Sequence, residues 1–369
     1  MKNKSYLLIL LLLAFSSPTF AQYLKPGFNK QEYIELMKIS ARFGDTTYSK
    51  KIPAPADYDF AYRSPVVGLD NCWDLWISKG AAISKTGVAV ISLRGTTQNS
   101  VSWLANFYAA MVPAKGELHL SDSTTFKYEL AANPKAAIHA GWIISTAFLS
   151  KSILGKIDSC YKNGIKEFII MGHSQGGAIA YLLTSYLLNL QKNQQLAGDI
   201  RFKTYCSAAP KPGNLYYAYE YEAQTQNGWA YNVVNAADWV PETPMSVQTL
   251  DDFNLTNPFV NAKSMIKKQP FTRRLALNYM FNRMDKPTRR AQKNYQKYLG
   301  TFTSKMVRQQ IPGFIAPAYY DSSNYVRTGN TIVLSTDADY YKHYPDNETN
   351  VFVHHLHPAY LYLTEKLKN

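Results

Sequence analysis

The sequence predicts an α/β fold in which helices cover both faces of a mostly parallel β-sheet. Apolar runs that are typical of buried strands lie near residues 87–93, 167–171, 202–206 and 230–234. Helical patterns lie near residues 143–161, 176–191 and 213–224. An alternating order of strands and helices favours parallel strands that are joined by crossover helices.

The N-terminal residues add an export signal, a helix and a strand. Residues 1–21 have a basic start, an apolar run too short to span a bilayer, and a small-residue cleavage site. We expect this signal peptide to be removed, which leaves a soluble secreted or periplasmic protein. A helix is predicted over residues 27–43 and a strand over residues 73–77.

The remaining residues, 22–369, are predicted to form a single domain. They are long enough for one large core, and no repeat or low-complexity linker divides them. An insertion is expected from about 251 to 330. Because Cys72, Cys160 and Cys206 are odd in number, at most one disulfide can form, and their surroundings favour buried free thiols.

A Gly-x-Ser-x-Gly motif lies where the strand near 167–171 meets the helix near 176–191. Gly172 and Gly176 flank Ser174 in this motif. At such a turn a serine projects its hydroxyl above the sheet, and the start of the helix directs free N–H groups at developing negative charge. Ser174 is therefore the candidate nucleophile. His173 is adjacent in sequence and is expected to point away from the reacting face.

A nucleophilic serine requires a base and an acid that orients the base. The best acid is Asp238, which follows the strand near 230–234 at its carboxyl end, where parallel sheets place their chemistry. Asp251 and Asp252 are alternatives in a more polar stretch. The three candidates for the base are His354, His355 and His357. A metal pair of histidines is the weaker interpretation, because no Cys or acidic cluster completes a zinc site.

Six short segments occur in an order that is typical of one enzyme family. They are Arg94-Gly95-Thr96, residues 139–142, residues 172–178, residues 209–214, residues 234–241 and residues 357–361. Together they resemble the class 3 lipases, an α/β-hydrolase family of secreted triacylglycerol lipases and related esterases. The resemblance implies an α/β-hydrolase fold, with a lid near residues 103–112.

The resemblance also implies the roles of individual residues. It selects His357 as the base, because only His357 has a tyrosine three residues further on, in the family's His-x-x-Tyr pattern. It assigns the oxyanion hole to Thr96 and Gln175, which supply the two donors that a tetrahedral intermediate requires. Arg94 is interpreted as a structural ion-pair residue. We expect neither a cofactor nor a metal.

The predicted insertion carries most of the charge of the protein. Residues 261–310 contain thirteen Lys or Arg and one acid, whereas the whole chain has a net charge of +14. Apolar residues alternate with these cations, which indicates amphipathic helices that either dock on an anionic lipid surface or cap the core with a solvated basic face. No recognition motif accompanies the charge, so no nucleic-acid partner is expected.

These observations predict an exported serine ester hydrolase that cleaves lipids. Ser174, Asp238 and His357 are the predicted triad. A phospholipase A1 or an esterase for polar esters is the enzymatic alternative. The alternative from another class is an inactive hydrolase that binds anionic surfaces through residues 261–310, although every triad residue type is present in the order that this fold uses.

Overall fold

The computed structural model describes residues 24–44, 50–81 and 87–368. The predicted signal peptide lies outside them. A seven-stranded sheet forms the centre of the protein. Its strands, numbered along the chain and given in their order across the sheet, are β1 (Tyr58–Arg63), β2 (Trp73–Ser78), β3 (Val88–Leu93), β8 (Glu167–His173), β9 (Arg201–Ser207), β11 (Ala230–Asn235) and β13 (Asn330–Leu334).

The sheet is parallel from β3 to β13 and antiparallel only at the edge formed by β1 and β2. The helices, numbered along the chain, are α1 (Lys30–Ser40), α2 (Ser100–Phe107), α3 (Ala140–Lys162), α4 (Gln175–Lys192), α5 (Leu215–Gln224), α6 (Ala262–Lys267), α7 (Phe271–Gln296), α8 (Thr303–Gln310), α9 (Ala338–His343) and α10 (His357–Lys366).

Helices pack on both faces of the sheet. The reason is visible in β8, whose apolar side chains point alternately to the two faces. Phe168 and Ile170 point into the core that α3 and α4 cover. Ile169 and Met171 point to the opposite face, into the core that α1 and α10 cover. A strand that is apolar at every position is expected where both faces are buried. The predicted fold class is therefore confirmed.

The predicted elements occur with small shifts at their ends. Helix α3 begins three residues earlier than predicted, at Ala140, because His139 accepts a hydrogen bond from the N–H of Trp142 and caps the helix. Helix α5 begins two residues later, because Gly213 and Asn214 pair in a small second sheet. The three cysteines are buried free thiols, as predicted.

The polar stretch after α2 forms β-structure that the sequence did not predict. Its strands are β4 (Met111–Pro113), β5 (Lys115–Ser121), β6 (Thr124–Glu129) and β7 (Ala137–His139). The middle two strands, β5 and β6, form a hairpin. The outer two, β4 and β7, join β10 (Gly213–Asn214) and β12 (Tyr325–Val326) in a four-stranded sheet. This small sheet connects the region after α2 with the chain that precedes β13.

The chain leaves the central sheet between β11 and β13, over residues 236–329. This segment contains α6, the 26-residue helix α7, a π-helical turn (Lys297–Phe302) and α8. Among the described residues, no helix is both long enough and apolar enough to cross a membrane.

Candidate active site

Ser174 lies between β8 and α4 in a strained backbone conformation. Its φ of 61° and ψ of −131° lie in a region that residues with a side chain rarely adopt. The N–H of Ser174 donates to the carbonyl of Ser207 at the end of β9. Such strain persists only where the surrounding structure fixes it, and it is typical of functional turns. The sharp turn predicted for the motif is therefore present.

The two glycines of the motif allow the strand and the helix to approach closely. A Cβ on Gly172 would lie 2.0 Å from the carbonyl oxygen of Gly176. A Cβ on Gly176 would lie 2.3 Å from the carbonyl oxygen of Leu93, at the end of β3. Both contacts are with backbone atoms that cannot move aside. The glycines are therefore required by the packing of β3, β8 and α4 around Ser174.

Asp238 is buried just beyond β11, at the carboxyl edge of the sheet where Ser174 also lies. Its Oδ2 accepts a hydrogen bond of 2.7 Å from Nδ1 of His355 and another of 2.7 Å from the hydroxyl of Tyr360. Its Oδ1 accepts from the N–H of Val240. Burial and the neighbouring carboxylate raise the pKa of Tyr360, so its hydroxyl stays protonated and donates.

The structure places His355 on Asp238, whereas the sequence predicted that His357 would be the histidine that this carboxylate orients. Nε2 of His357 lies 3.1 Å from the hydroxyl of Ser40 on α1, and its ring stacks on His173 with centroids 4.4 Å apart. Burial lowers the pKa of His357 to about 3. The reason is local: α10 begins at His357, with Pro358 in its first turn, and His357 contacts Ser40 of α1, whereas His355 lies in the preceding loop.

The third histidine and the alternative acids contact other partners. His354 contacts the hydroxyl of Tyr340 and the carboxylate of Asp346. Asp251 pairs with Arg289 on α7. Asp252 accepts hydrogen bonds from the backbone and hydroxyl of Thr249, and therefore caps a short turn. These residues stabilise loops.

His173 links the serine turn to the loop that carries His355. Its Nε2 donates to the carbonyl of His355 at 2.8 Å, so its Nδ1 accepts from the hydroxyl of Ser207 at 3.0 Å. Burial lowers the pKa of His173, so the ring is neutral in this position. The expectation that His173 is structural fits this arrangement, because its two ring nitrogens are taken up by Ser207 and by the backbone of His355.

Thr96 and Gln175, the predicted oxyanion residues, share one partner. The side-chain amide of Asn106, near the end of α2, donates to the hydroxyl of Thr96 at 2.9 Å and accepts from the amide of Gln175 at 2.8 Å. The indole N–H of Trp142 also donates to Asn106, at 3.1 Å. Because Gln175 is the first residue of α4, the helix leaves its N–H without an intrahelical acceptor. No motif pointed to Asn106, because its partners are distant along the chain.

Aromatic rings from three segments lie over the loop that carries His355. Trp103 on α2 stacks on Phe107 and lies 6.3 Å from Phe352, between ring centroids. Phe352 lies 5.5 Å from Trp239 and 5.8 Å from His355. The lid predicted near residues 103–112 overlaps the second half of α2 and extends into β4.

Arg94 has the structural role that was predicted for it. Its guanidinium forms an ion pair with the carboxylate of Asp70 at 3.1 Å and also donates to the carbonyl of Asp70. This pair fixes the chain just after β3, directly before Thr96.

The strained serine turn, the buried Asp–His pair and the parallel sheet are the arrangement of the α/β-hydrolase fold. Residues 90–248 match the family model for lipase (class 3), which confirms the resemblance found in the motifs. Phospholipase A1-Iα2 from Arabidopsis thaliana, a chloroplastic protein, is 27% identical over 215 residues, which are 48% of this chain and 41% of that protein.

A second relative and a solved structure are also lipases. The secreted mono- and diacylglycerol lipase 1 from Fusarium solani is 27% identical, over 52% of this chain and 55% of that protein. The chain therefore spans about half the length of these two relatives. The structure of a triacylglycerol lipase from Penicillium expansum matches 62% of this chain and 79% of that chain, with 17% identity and a TM-score of 0.41.

Proposed function

We propose that the protein hydrolyses carboxylic ester bonds of lipids, with Ser174, His355 and Asp238 as the catalytic triad. One observation carries the proposal: Nδ1 of His355 donates to the buried carboxylate of Asp238, while His173, the residue before Ser174, holds the carbonyl of His355. A serine, a histidine and an acid that orients the histidine are the parts that nucleophilic acyl transfer requires.

The reaction then proceeds in two halves. Oγ of Ser174 attacks the acyl carbon, and Nε2 of His355 accepts its proton, because Nδ1 is occupied by Asp238. The tetrahedral intermediate collapses as His355 returns the proton to the leaving alcohol, which leaves an acyl-enzyme. Water then attacks the acyl carbon, His355 accepts a proton from the water, and Ser174 leaves with that proton as the fatty acid departs.

The oxyanion in this proposal is held by the backbone N–H groups of Thr96 and Gln175. Asn106 donates to the side chain of Thr96 and accepts from that of Gln175, and these bonds support the assignment because they fix the two residues relative to each other. Donors that are fixed before the reaction need no reorganisation when charge develops.

The substrate class is proposed from the relatives together with the site. One relative is named a phospholipase A1 and the other a mono- and diacylglycerol lipase, so an acylglycerol and the first acyl ester of a phospholipid are both candidates. An esterase for smaller polar esters is the alternative. Export of the enzyme remains part of the proposal, and it rests on the predicted signal peptide of residues 1–21.

The charge of the insertion supports one further element of the proposal. Residues 261–310 contain thirteen cations and one acid, and we propose that they meet an anionic lipid surface. No recognition motif for nucleic acid accompanies the charge, so a lipid partner is favoured.

Two assays test the proposed function. A fluorophosphonate probe should label Ser174 in the intact protein and should fail to label the Ser174→Ala variant. A panel of p-nitrophenyl esters, triacylglycerols, diacylglycerols and phospholipids then identifies the substrate. If the folded protein is neither labelled nor active on any ester in the panel, the inactive-hydrolase alternative replaces the proposal.

A further inference from the structure

The first half of α7 projects from the body of the protein. The buried side chains of this 26-residue helix are Asp285, Gln292 and Tyr295, all in its second half. No side chain from Phe271 to Met284 is buried. This half contacts the short helix α6, where Lys263 lies over the ring of Phe281. The helix is therefore an arm, with residues 271–284 as its tip and residues 285–296 as its stem.

The stem is fixed to the body by charged and polar side chains. Arg289 pairs with Asp251 and with Asp285, and Gln292 donates to the carboxylate of Asp321. The side chain of the last helical residue, at position 296, donates to the carbonyl at position 320. These contacts join the stem to two different loops, so the direction of the arm is set by the fold.

The tip exposes large apolar side chains next to cations. The exposed fraction of these apolar side chains runs from 55% at Leu275 to 75% at Met284. The guanidinium of Arg283 lies over the ring of Tyr279, and that of Arg274 lies over the ring of Phe271. The exposed large apolar side chains of the tip are Phe271, Leu275, Tyr279, Met280 and Met284.

The exposed face changes in character along the helix. Towards the stem it carries Arg283, Lys286 and Arg290, whereas the exposed side chains of the tip before them are mostly apolar. Exposed apolar side chains with Lys and Arg beside them are the groups that a helix places in the interface of a bilayer, with apolar groups below the headgroups and cations at the headgroup level. At a rise of about 1.5 Å per residue, the tip alone spans about 20 Å.

We propose that this arm docks the protein on an anionic bilayer, with the exposed apolar side chains of the tip inserted among the acyl chains and the exposed cations of the arm on the lipid phosphates. Charge complementarity selects this partner: a second copy of the chain would bring two strongly positive arms together. A nucleic acid would match the cations but would leave the apolar tip in water. This docking rests on the proposed function, because it would bring the enzyme to a lipid ester substrate.

The chain that follows the stem contacts α2, the helix whose aromatic side chains lie over the loop that carries His355. The carbonyl of Leu299, in the π-helical turn after α7, accepts from the N–H of Ala110, three residues beyond α2. Helix α8 packs against α2. Phe302, Met306 and Phe107 are exposed in this region. A docked arm would therefore bring α2 towards the membrane, where an ester substrate resides.

Three variants of the full-length mature protein test the proposal. The charge variant replaces Arg273, Arg283, Lys286 and Arg290 with Gln. The tip variant replaces Leu275, Tyr279 and Met280 with Ser. The matched control removes four exposed cations outside the arm and carries Lys79→Gln, Lys127→Gln, Lys151→Gln and Lys192→Gln.

Cosedimentation with vesicles of phosphatidylcholine, with and without phosphatidylglycerol, measures docking. Wild type and control should bind the phosphatidylglycerol vesicles and release them at high salt, because screening weakens surface attraction. The charge variant should bind at least about tenfold more weakly. The tip variant should also bind more weakly, and both should lose hydrolysis of vesicle-borne ester in proportion. All four proteins should hydrolyse a short soluble ester equally.

Other results would overturn the proposal. These are equal binding by wild type and charge variant, equal loss in the control variant, binding that ignores salt or phosphatidylglycerol, tighter binding to a DNA duplex than to vesicles, or self-association through the tip in light scattering. The proposed function fails separately: a wild type that docks as expected but hydrolyses neither soluble nor vesicle-borne esters would contradict the enzymatic proposal while leaving the docking surface intact.

Discussion

The serine turn and the arm of α7 are held in place by opposite means. At the turn, backbone atoms approach so closely that Gly172 and Gly176 admit no Cβ, and Ser174 keeps a strained conformation. In the tip of the arm no side chain from residue 271 to 284 is buried. In our proposals, chemistry at the turn depends on the position of single atoms, whereas docking by the arm depends on summed charge and apolar area.

This difference predicts how each region responds to substitution. A single change at the turn should have a large effect, because one misplaced atom alters the reacting geometry. A single change in the tip should have almost none, because exposed substitutions away from specific contacts usually alter stability by less than about 0.5 kcal/mol.

The largest effect is expected from Ser174→Ala. This variant should lose at least about four orders of magnitude in kcat towards a soluble ester while its thermal unfolding is almost unchanged, because only binding and oxyanion stabilisation remain. Steady-state kinetics and a melting curve measure the two quantities. Turnover near that of wild type would show that another nucleophile performs the reaction.

Gly172→Ala should break the turn itself. The new Cβ would meet the backbone of Gly176 at 2.0 Å, so we expect a destabilisation of about 3 kcal/mol or more, together with loss of activity. Gly155 is the matched control. It lies within α3, and a methyl group added there would meet no atom within 4 Å, so Gly155→Ala should stabilise the protein by about 0.5–1 kcal/mol. Urea unfolding distinguishes these opposite signs.

Asn106→Ala should have an intermediate effect on kcat. It removes the common partner of Thr96 and Gln175, so the two proposed oxyanion residues lose their fixed relation. We expect kcat to fall about 10- to 100-fold with little change in KM, since the donors matter mainly in the transition state. If KM rises and kcat is unchanged, Asn106 acts on substrate binding instead.

The smallest effect concerns acid stability. Burial lowers the pKa of His357 to about 3, far below its ordinary value of 6.5. The unfolded chain therefore binds more protons between these values, so stability is full above about pH 6.5 and falls as the pH decreases towards 3. His357 should contribute a loss of about 2 kcal/mol at pH 5. Between about pH 7.5 and pH 5, the free energy of unfolding of His357→Gln, measured in urea, should fall correspondingly less than that of the wild type.

The parts of the fold that depend on local pattern were predictable from the sequence. The apolar runs of β8 and β11 lie where they were expected, because strands buried on both faces leave a continuous apolar signal. Ser174 and its glycines were predicted because the turn requires those residues at that spacing. The hairpin formed by β5 and β6 was missed, because its outer face is polar and resembles a loop in the sequence.

The histidines show where a sequence pattern and the structure point to different residues. The His-x-x-Tyr spacing pointed to His357, but Tyr360 reaches Asp238 from α10 while His355 reaches the same carboxylate from the loop before it. The sequence did contain one signal: Pro358 marks the start of a helix, which fixes the direction of His357. Long-range contacts between side chains leave no comparable signal in a single sequence.

The most direct test of the proposed triad compares kcat/KM of His355→Ala and His357→Gln on one soluble ester, with folding checked by thermal unfolding. We predict a loss of about 10³-fold or more for His355→Ala, because the base is removed, and a loss of less than about tenfold for His357→Gln. The opposite ranking in two folded proteins would contradict the assignment of His355 and restore His357 as the base.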